Sequence, residues 1–188
     1  MKEQIKSTRV KRVIKIIIAV IVLVHILPFP INKQFETFEI KLDDDMYMDE
    51  CTVTIKGKYY INFFTRDKFV GNIHVSKYPL TEWEMDSVII TSSMRDKSAP
   101  LHYEKRVYNE RTKRSDLKIY MFGHLITKRF FYNMAIAIFE HHEYTDNSKR
   151  PYGVGGGWGP SRGYYIIPSA TTRDEAVQKI DEWGLYHH

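Results

Sequence analysis

The stretch TVTIKGKYYINFF, residues Thr52–Phe64, decides the fold of this 188-residue chain. Val53 and Ile55 alternate with threonine and lysine along it, and a period of two is that of a β-strand with one face buried. We expect Gly57 to supply a turn, after which the alternation resumes. The inward face of the resumed strand then carries Tyr59, Ile61 and Phe63. The stretch therefore predicts two strands of an antiparallel sheet.

The same pattern continues on both sides of this stretch. Arg66–Lys68 predicts a second turn, and the next inward set is Phe69, Gly71, Ile73 and Val75. Further strands are predicted at 38–42, 87–92, 101–108, 117–121 and 164–167, with breaks at Ala99-Pro100 and Gly123 and a hairpin tip at 109–115. The apolar run Phe130–Glu140 predicts a buried central strand. The fold class that follows is mainly β, as an antiparallel sheet, a sandwich or a partly open barrel.

One α-helix is predicted after the strands, over Thr172–Trp183. Thr172 is expected to cap it, with Glu175 as the partner in a capping box. Gly184 stands where a C-terminal cap belongs. The helix carries one apolar stripe, formed by Ala176, Val177, Ile180 and Trp183. Such a stripe predicts that the helix packs against the sheet.

Near the N-terminus a basic run passes into an apolar one, VKRVIKIIIAVIVLVHILPF at Val10–Phe29. A membrane-spanning helix needs about 20 apolar residues. This segment reaches that length because the lysine and arginine side chains at its start extend their charges to the headgroups. Pro28 and Pro30 end it. We expect residues 10–30 to form a transmembrane signal anchor in contact with the lipid bilayer.

Two other interpretations of this segment compete with an uncleaved anchor. A cleaved signal peptide has a similar basic region and apolar core, but it needs small residues at the cut. Between Val20 and Glu50 there is no Ala, Gly, Ser or Cys. A buried core helix would not explain the six cations gathered in residues 1–15. The anchor is therefore predicted to stay attached to the mature chain.

Charge sets the predicted orientation. Residues 1–15 hold six of the 28 Lys and Arg but one of the 23 Asp and Glu, so the rest of the chain is neutral. The positive-inside rule keeps the basic end in the cytoplasm. The predicted localisation is the cell membrane, single-pass, with a cytoplasmic stub at 1–9 and an extracytoplasmic β-rich domain at 33–188. A neutral domain offers no basic excess for nucleic acid, which is excluded as a partner on that ground.

Two pieces of the chain resemble a known kind of protein. They are FVGNIHVSKYPLT at Phe69–Thr81 and YYIIPSATTRDEAVQKI at Tyr164–Ile180. They are similar to segments of uncharacterised small single-pass membrane proteins of Gram-positive bacteria, in which a Pro-Ala or Pro-Ser step precedes a Thr-Arg-Asp/Glu-Glu-Ala helix start. The resemblance covers about a fifth of the chain. It implies a membrane location and a compact β domain with a C-terminal helix, and it carries no site residues.

The best metal candidate is the pair His141 and His142, with Glu143 and Asp146 nearby. Adjacent residues on a strand point to opposite faces, so both imidazoles reach one ion only where the chain turns. A catalytic zinc site would also need a third ligand. The other histidines outside the N-terminal apolar segment are scattered, at His74, His102, His124, His187 and His188. We therefore expect no metal and no other cofactor.

A glycine-rich stretch, GVGGGWGPSRG at Gly153–Gly163, lacks the Gly-Lys-Ser/Thr step of a P-loop. The pattern around it is β rather than βαβ, which also disfavours a dinucleotide site. Residues 141–163 are instead expected to form a surface loop. Its candidate binding residues are Tyr152, Trp158 and Arg162.

Neither the carboxylates nor the cysteine predict catalysis. Glu36 and Glu39 have an odd spacing, which places them on opposite faces of a strand, where we expect both to be solvated. Asp43–Asp45 is interpreted as a solvated turn, because a calcium loop spaces its ligands and contains a glycine. Cys51 is expected to be a small, partly buried residue. No G-x-S-x-G nucleophile elbow occurs, so no catalytic residue is assigned.

Two functions are consistent with this pattern. The leading hypothesis is a non-enzymatic binding module at the cell envelope, which takes a protein, peptide or cell-wall component through its sheet face or the 141–163 loop. Exposed tyrosine and tryptophan suit such contacts. The alternative is a membrane-tethered, metal-dependent hydrolase that uses His141, His142 and Asp146.

Overall fold

The computed structural model of the chain describes residues 12–17, 19, 27–62, 66–90, 98–127, 129–139 and 163–184. Within these residues nine strands form one antiparallel sheet, in the order β4-β6-β7-β8-β9-β1-β2-β3-β5. Their bounds are β1 Phe29–Lys41, β2 Asp44–Tyr60, β3 Asp67–Val75, β4 Glu84–Met85, β5 Val88–Ile90, β6 Ser98–Asn109, β7 Arg114–Thr127, β8 Met134–Ile138 and β9 Tyr164–Ile166. The prediction of a mainly β chain built on an antiparallel sheet is confirmed.

The sheet curls into a half-barrel around its main core. Tyr103 of β6 and Ile73 of β3 stand near opposite edges of the strand order, yet the Tyr103 hydroxyl donates a hydrogen bond to the Ile73 carbonyl oxygen. Apolar side chains from both halves meet on the enclosed inner face. The largest of them with almost no exposure are Tyr59, Tyr103, Phe69, Phe122 and Phe131. Among the architectures that the sequence left open, the partly open barrel is the observed one.

Three glycines lie inside strands, where they let neighbouring backbones approach closely. Gly57 and Gly71 are cross-strand partners in β2 and β3. A Cβ on Gly57 would lie 2.4 Å from the carbonyl oxygen of Val70, and one on Gly123 would lie 2.1 Å from that of Ala137. The predictions that Gly57 turns the chain and that Gly123 ends a strand are therefore wrong, because these glycines serve close packing instead.

The predicted break at Ala99-Pro100 is also wrong, since both residues lie within β6. Ala99 is buried in the main core, while Pro100 faces outward. On the side of β6 away from β7, β4 pairs only with Tyr103 and Glu104. Pro100 thus lies at a strand edge, where its missing N–H removes no ladder hydrogen bond.

The buried central strand predicted at Phe130–Glu140 is β8, and all five of its residues are buried. It begins later than predicted. Phe130 and Phe131 precede it in a 3₁₀ turn, with φ of 59° and 57°. The turn places the Phe131 ring in the main core, where its centroid lies 4.9 Å from that of Phe69. The aromatic contacts of this turn offset its unfavourable backbone conformation.

The predicted C-terminal helix is confirmed as Arg173–Glu182. The Thr172 hydroxyl accepts a hydrogen bond from the Glu175 backbone N–H at 3.3 Å, and Gly184 has the positive φ of a C-cap, 68°. The helix covers the outer face of the sheet at β7, β8, β9 and β1. Its buried residues Ala176 and Ile180 form a second cluster there with Ile40, Ile126, Ala135, Ala137, Tyr165, Ile167 and Ala170.

The helix start supplies a pH-dependent contribution to stability. Hydrogen bonds from Lys179 and from the backbone and hydroxyl of Thr171 lower the pKa of Glu175 to about 2 from an ordinary value of 4.5. Because the folded-state pKa is depressed, the contribution is present above pH 4.5 and is lost as the pH falls toward 2. We expect the difference in melting temperature between wild type and Glu175→Gln to shrink over that window. A Glu182→Gln control should show no such trend.

The structure describes little of the N-terminal segment. Residues 12–17 are helical and exposed. Within the described residues, no helix has the length and apolar character needed to cross a bilayer. β1 begins at Phe29, four residues ahead of the boundary at 33 that was expected from sequence. The first strand is thus longer than the predicted segment 38–42.

Candidate functional site

A buried polar cluster lies at the far end of the sheet, which we define as the end where β1 turns into β2 at Leu42 and Asp43. Its centre is Glu39, whose side chain is 1% exposed. The expectation that Glu39 is solvated is wrong, whereas Glu36 is exposed as predicted. The register of β1 turns Glu39 toward the inner face, and the segment after β3 brings a cation and a tyrosine over it.

Three groups contact the Glu39 carboxylate. Tyr47 donates its hydroxyl to one oxygen at 2.7 Å, and Tyr78 donates to the other. The Lys77 ammonium lies 2.8 Å from Glu39 and 2.5 Å from Asp49. Lys77 also donates to the Tyr47 hydroxyl at 2.5 Å. Both carboxylate oxygens are therefore hydrogen-bonded, and one of them is paired with the Lys77 cation, as a buried charge requires.

The electrostatics of this cluster keep Tyr47 and Tyr78 neutral and Lys77 charged. Burial and the nearby Glu39 charge raise the pKa of Tyr78, and burial also raises that of Tyr47. Burial acts to lower the pKa of Lys77, but hydrogen bonds to Asp49, Glu39 and Tyr47 outweigh it and raise the value overall. Neutral tyrosines and a charged lysine are poor bases, because a base needs an available lone pair near pH 7. The cluster is suited to fixing structure at the far end.

Cys51 lies on the same inner face as this cluster and is buried, as expected. Burial and the Glu39 charge raise the pKa of its thiol to about 12. The thiolate is the nucleophilic form of cysteine. At neutral pH Cys51 is therefore a packing residue.

The predicted metal and binding-loop residues lie outside the described part of the chain. These are His141, His142, Asp146, Tyr152, Trp158 and Arg162, together with the C-terminal pair His187 and His188. Their roles remain predictions. Within the described ranges, no group of three histidine, cysteine or acidic residues is arranged to hold a metal.

The three described histidines serve local contacts. His74 shares a hydrogen bond of 3.0 Å with the Thr81 hydroxyl. The His124 ring packs 5.3 Å from that of Phe139, and burial followed by the nearby His102 lowers the pKa of His124. His102 and His124 lie near each other on β6 and β7, whereas His74 lies on β3, so the three do not form one site.

A two-stranded ribbon extends past the far end of the sheet. Lys41, Tyr164, Ile138 and Gly123 are successive cross-strand partners, so β1, β9 and β8 end level with one another. β6 and β7 continue from there and pair up to Asn109 and Arg114. We call residues Glu104–Ile119 the ribbon. At about 3.3 Å per residue its tip lies roughly 25 Å beyond the ends of β1, β8 and β9. The short strand β4 pairs with the first residue of the ribbon, Glu104.

The ribbon presents an apolar surface to solvent. Leu117 and Ile119 point away from the core and are 51% and 57% exposed, and Tyr108 is 55% exposed on the same face. The residues that follow, Tyr120 and Phe122, point inward. The ribbon also has six Lys and Arg against three Asp and Glu, a net charge of +3, although the domain as a whole is neutral.

The base of the ribbon is braced by Trp83, which lies just before β4. Its ring packs 4.8 Å from the Tyr120 ring, and the Lys105 ammonium lies 4.7 Å above it. The sequence predicted the polar tip at 109–115 between strands at 101–108 and 117–121. It did not show that the neighbouring strands end early and leave this hairpin extended.

Comparison with models of known families, with curated proteins and with solved structures finds no match to this chain.

Proposed function

We propose that the protein is a membrane-anchored module that binds a protein partner through the apolar face of its ribbon. The observation that carries this proposal is the exposure of Leu117 and Ile119 on a hairpin that stands clear of the sheet. Large apolar side chains that a scaffold exposes to solvent are typical of protein-binding surfaces. The positive charge around them favours a partner with acidic groups at the rim of its contact surface.

The location in this proposal rests on the N-terminal segment. Residues 10–30 are apolar behind a basic flank and contain no small-residue cleavage signal. The proposed topology has the N-terminus in the cytoplasm and the β domain outside, at the cell membrane. The resemblance to small single-pass membrane proteins is consistent with this location. β1 begins at the end of the sheet opposite to the ribbon, so the proposed anchor would join the domain at that opposite end.

The binding proposal predicts the effect of two charge substitutions in the ribbon. The tagged full-length chain is captured from solubilised membranes, and the proteins retained with it are compared between variants. Leu117→Asp with Ile119→Asp should lose the partner that the wild type retains, with at least a tenfold loss of affinity, because apolar anchors often contribute about 2 kcal/mol or more each.

The matched control is Met46→Asp with Met48→Asp. These side chains are also exposed, at 91% and 56%, but lie on β2. The control should retain the partner, and both double variants should melt close to the wild-type temperature. Equal retention by the ribbon variant and the wild type would contradict the proposed binding surface.

A further inference from the structure

The outer face of β2, β3 and β5 carries a cluster of uncompensated cations. Lys56 and Lys58 of β2 and Lys68 of β3 are exposed there. Lys58 pairs with Val70 and Tyr60 pairs with Lys68, so the lysines are near neighbours on one face. None of the three forms an ion pair within the described residues. Like charges at this spacing repel each other, and an anionic partner would relieve that cost.

The carboxylate on the outer face of β1 is far from these lysines. Glu36 is the described acidic residue of the β1 outer face, and it is level with Thr52, where it accepts a hydrogen bond from the Thr52 hydroxyl. Lys56 is level with Asn32, four residues away along β1. At about 3.3 Å per residue the separation is roughly 13 Å, beyond a Debye length at physiological salt. The C-terminal helix covers β7, β8, β9 and β1 and leaves this face open.

Two apolar side chains lie among the lysines. Val70 and Ile89 are 41% and 43% exposed on the same face. Ile89 is the cross-strand partner of Lys68, and Val70 is that of Lys58. Cations with apolar groups between them suit the surface of an anionic bilayer, where the charges meet headgroups and the apolar groups enter the boundary of the acyl chains. A soluble phosphate would leave the apolar groups without a partner.

This face lies beside the start of β1, where the proposed anchor would join the domain. Pro30, at the start of β1, pairs with Lys58, which in turn pairs with Val70. With neighbouring strands about 4.8 Å apart, the lysines lie within roughly 10 Å of the point where the chain leaves residues 10–30. We propose that the face formed by Lys56, Lys58, Lys68, Val70 and Ile89 docks onto anionic lipid headgroups, and so holds the domain in a fixed orientation at the bilayer.

This inference rests on the anchor in the proposed function, since tethering supplies the high local concentration that makes a weak surface contact effective. A basic residue near an anionic surface strengthens association by about fivefold. Three lysines then change the ratio of docked to undocked domain by roughly a hundredfold. Neutral lipid or high salt should abolish this gain.

The test uses the full chain in vesicles of phosphatidylcholine alone or mixed with phosphatidylglycerol. A fluorophore is placed on the outer face through Asn32→Cys, and energy transfer to a headgroup-labelled lipid is measured. We expect stronger transfer in the anionic vesicles, lost in high salt and in the variant Lys56→Glu/Lys58→Glu/Lys68→Glu. A matched variant, Lys105→Glu/Lys113→Glu/Lys118→Glu, makes the same charge change on the ribbon and should keep the transfer.

The outcomes separate the docking from the anchor. If the wild-type chain resists extraction by alkaline carbonate but shows the same transfer in both lipids, or if the two triple variants behave alike, the docking is contradicted and the anchor stands. If alkaline carbonate releases the wild-type chain, the anchor fails, and the docking that depends on it fails with it.

Discussion

Ile180→Ala is expected to lower the free energy of unfolding of the protein by about 2–5 kcal/mol. Ile180 is fully buried between the C-terminal helix and the outer face of the sheet, where its cluster includes Ile40 and Tyr165. A ten-residue helix is marginal alone in water and depends on this packing. Since total stabilities are near 5–15 kcal/mol, the loss should be plain in a urea titration of the full chain.

Gln178→Ala is the matched control for this substitution. Gln178 is exposed on the same helix, and its amide donates to the Glu182 carboxylate at 3.0 Å. Its removal should change the unfolding free energy by about 0.5 kcal/mol or less. Equal effects of the two substitutions would mean that the helix contributes nothing to the fold.

Lys77→Met should lower the free energy of unfolding by about 3 kcal/mol, because it leaves the Glu39 carboxylate buried without its cation. The Glu39 side chain is 1% exposed, so water cannot replace the lost cation. Lys77 itself is 27% exposed, and the expected loss therefore lies at the lower end of the range for breaking a buried ion pair. The measurement is a urea titration at neutral pH. Tyr47 and Tyr78 still donate to Glu39, so we expect the variant to fold.

Lys58→Met is the control for the loss of a lysine as such. Lys58 is exposed on the outer face and forms no ion pair in the described part of the chain. The control should remain within about 0.5 kcal/mol of the wild type. A similarly small effect of Lys77→Met would show that Glu39 does not depend on this cation and would contradict the description of the far-end cluster.

The alternation of apolar residues was enough to predict most strands, because burial of one sheet face imposes a period of two. Phe69, Ile73 and Val75 are buried as predicted. The alternation did not indicate which face of β7 is buried. Its run from Leu117 to Phe122 is apolar or aromatic on both faces, and the core takes Tyr120 and Phe122 while Leu117 and Ile119 face solvent. Only the pairing with β6 decides which of these two faces is turned toward the core.

The glycines and Glu39 show where local sequence stops being informative. A glycine at a turn and a glycine under a close strand contact look alike in one sequence, and the contacts of Gly57 come from β3. Glu39 is separated from Lys77 by 38 residues and from Tyr78 by 39. A carboxylate on a strand therefore looks solvated until the fold brings its partners together. The predicted loop site at 141–162 lies outside the described residues, so it was neither confirmed nor corrected.

The most direct test of the proposed membrane-anchored module is the topology of the full chain in intact cells. A membrane-impermeant maleimide is applied to the reporter variants Ser7→Cys and Ser115→Cys, each of which also contains Cys51. Background from Cys51 is low, because that thiol is buried and burial raises its pKa to about 12. We predict that the Ser115→Cys reporter is labelled at once and that the Ser7→Cys reporter is labelled only after the cells are permeabilised. We also predict that the chain stays in the membrane after treatment with alkaline carbonate and keeps its N-terminal peptide. Labelling of the Ser7→Cys reporter in intact cells, or a released chain lacking that peptide, would contradict a membrane-anchored module with its ribbon outside.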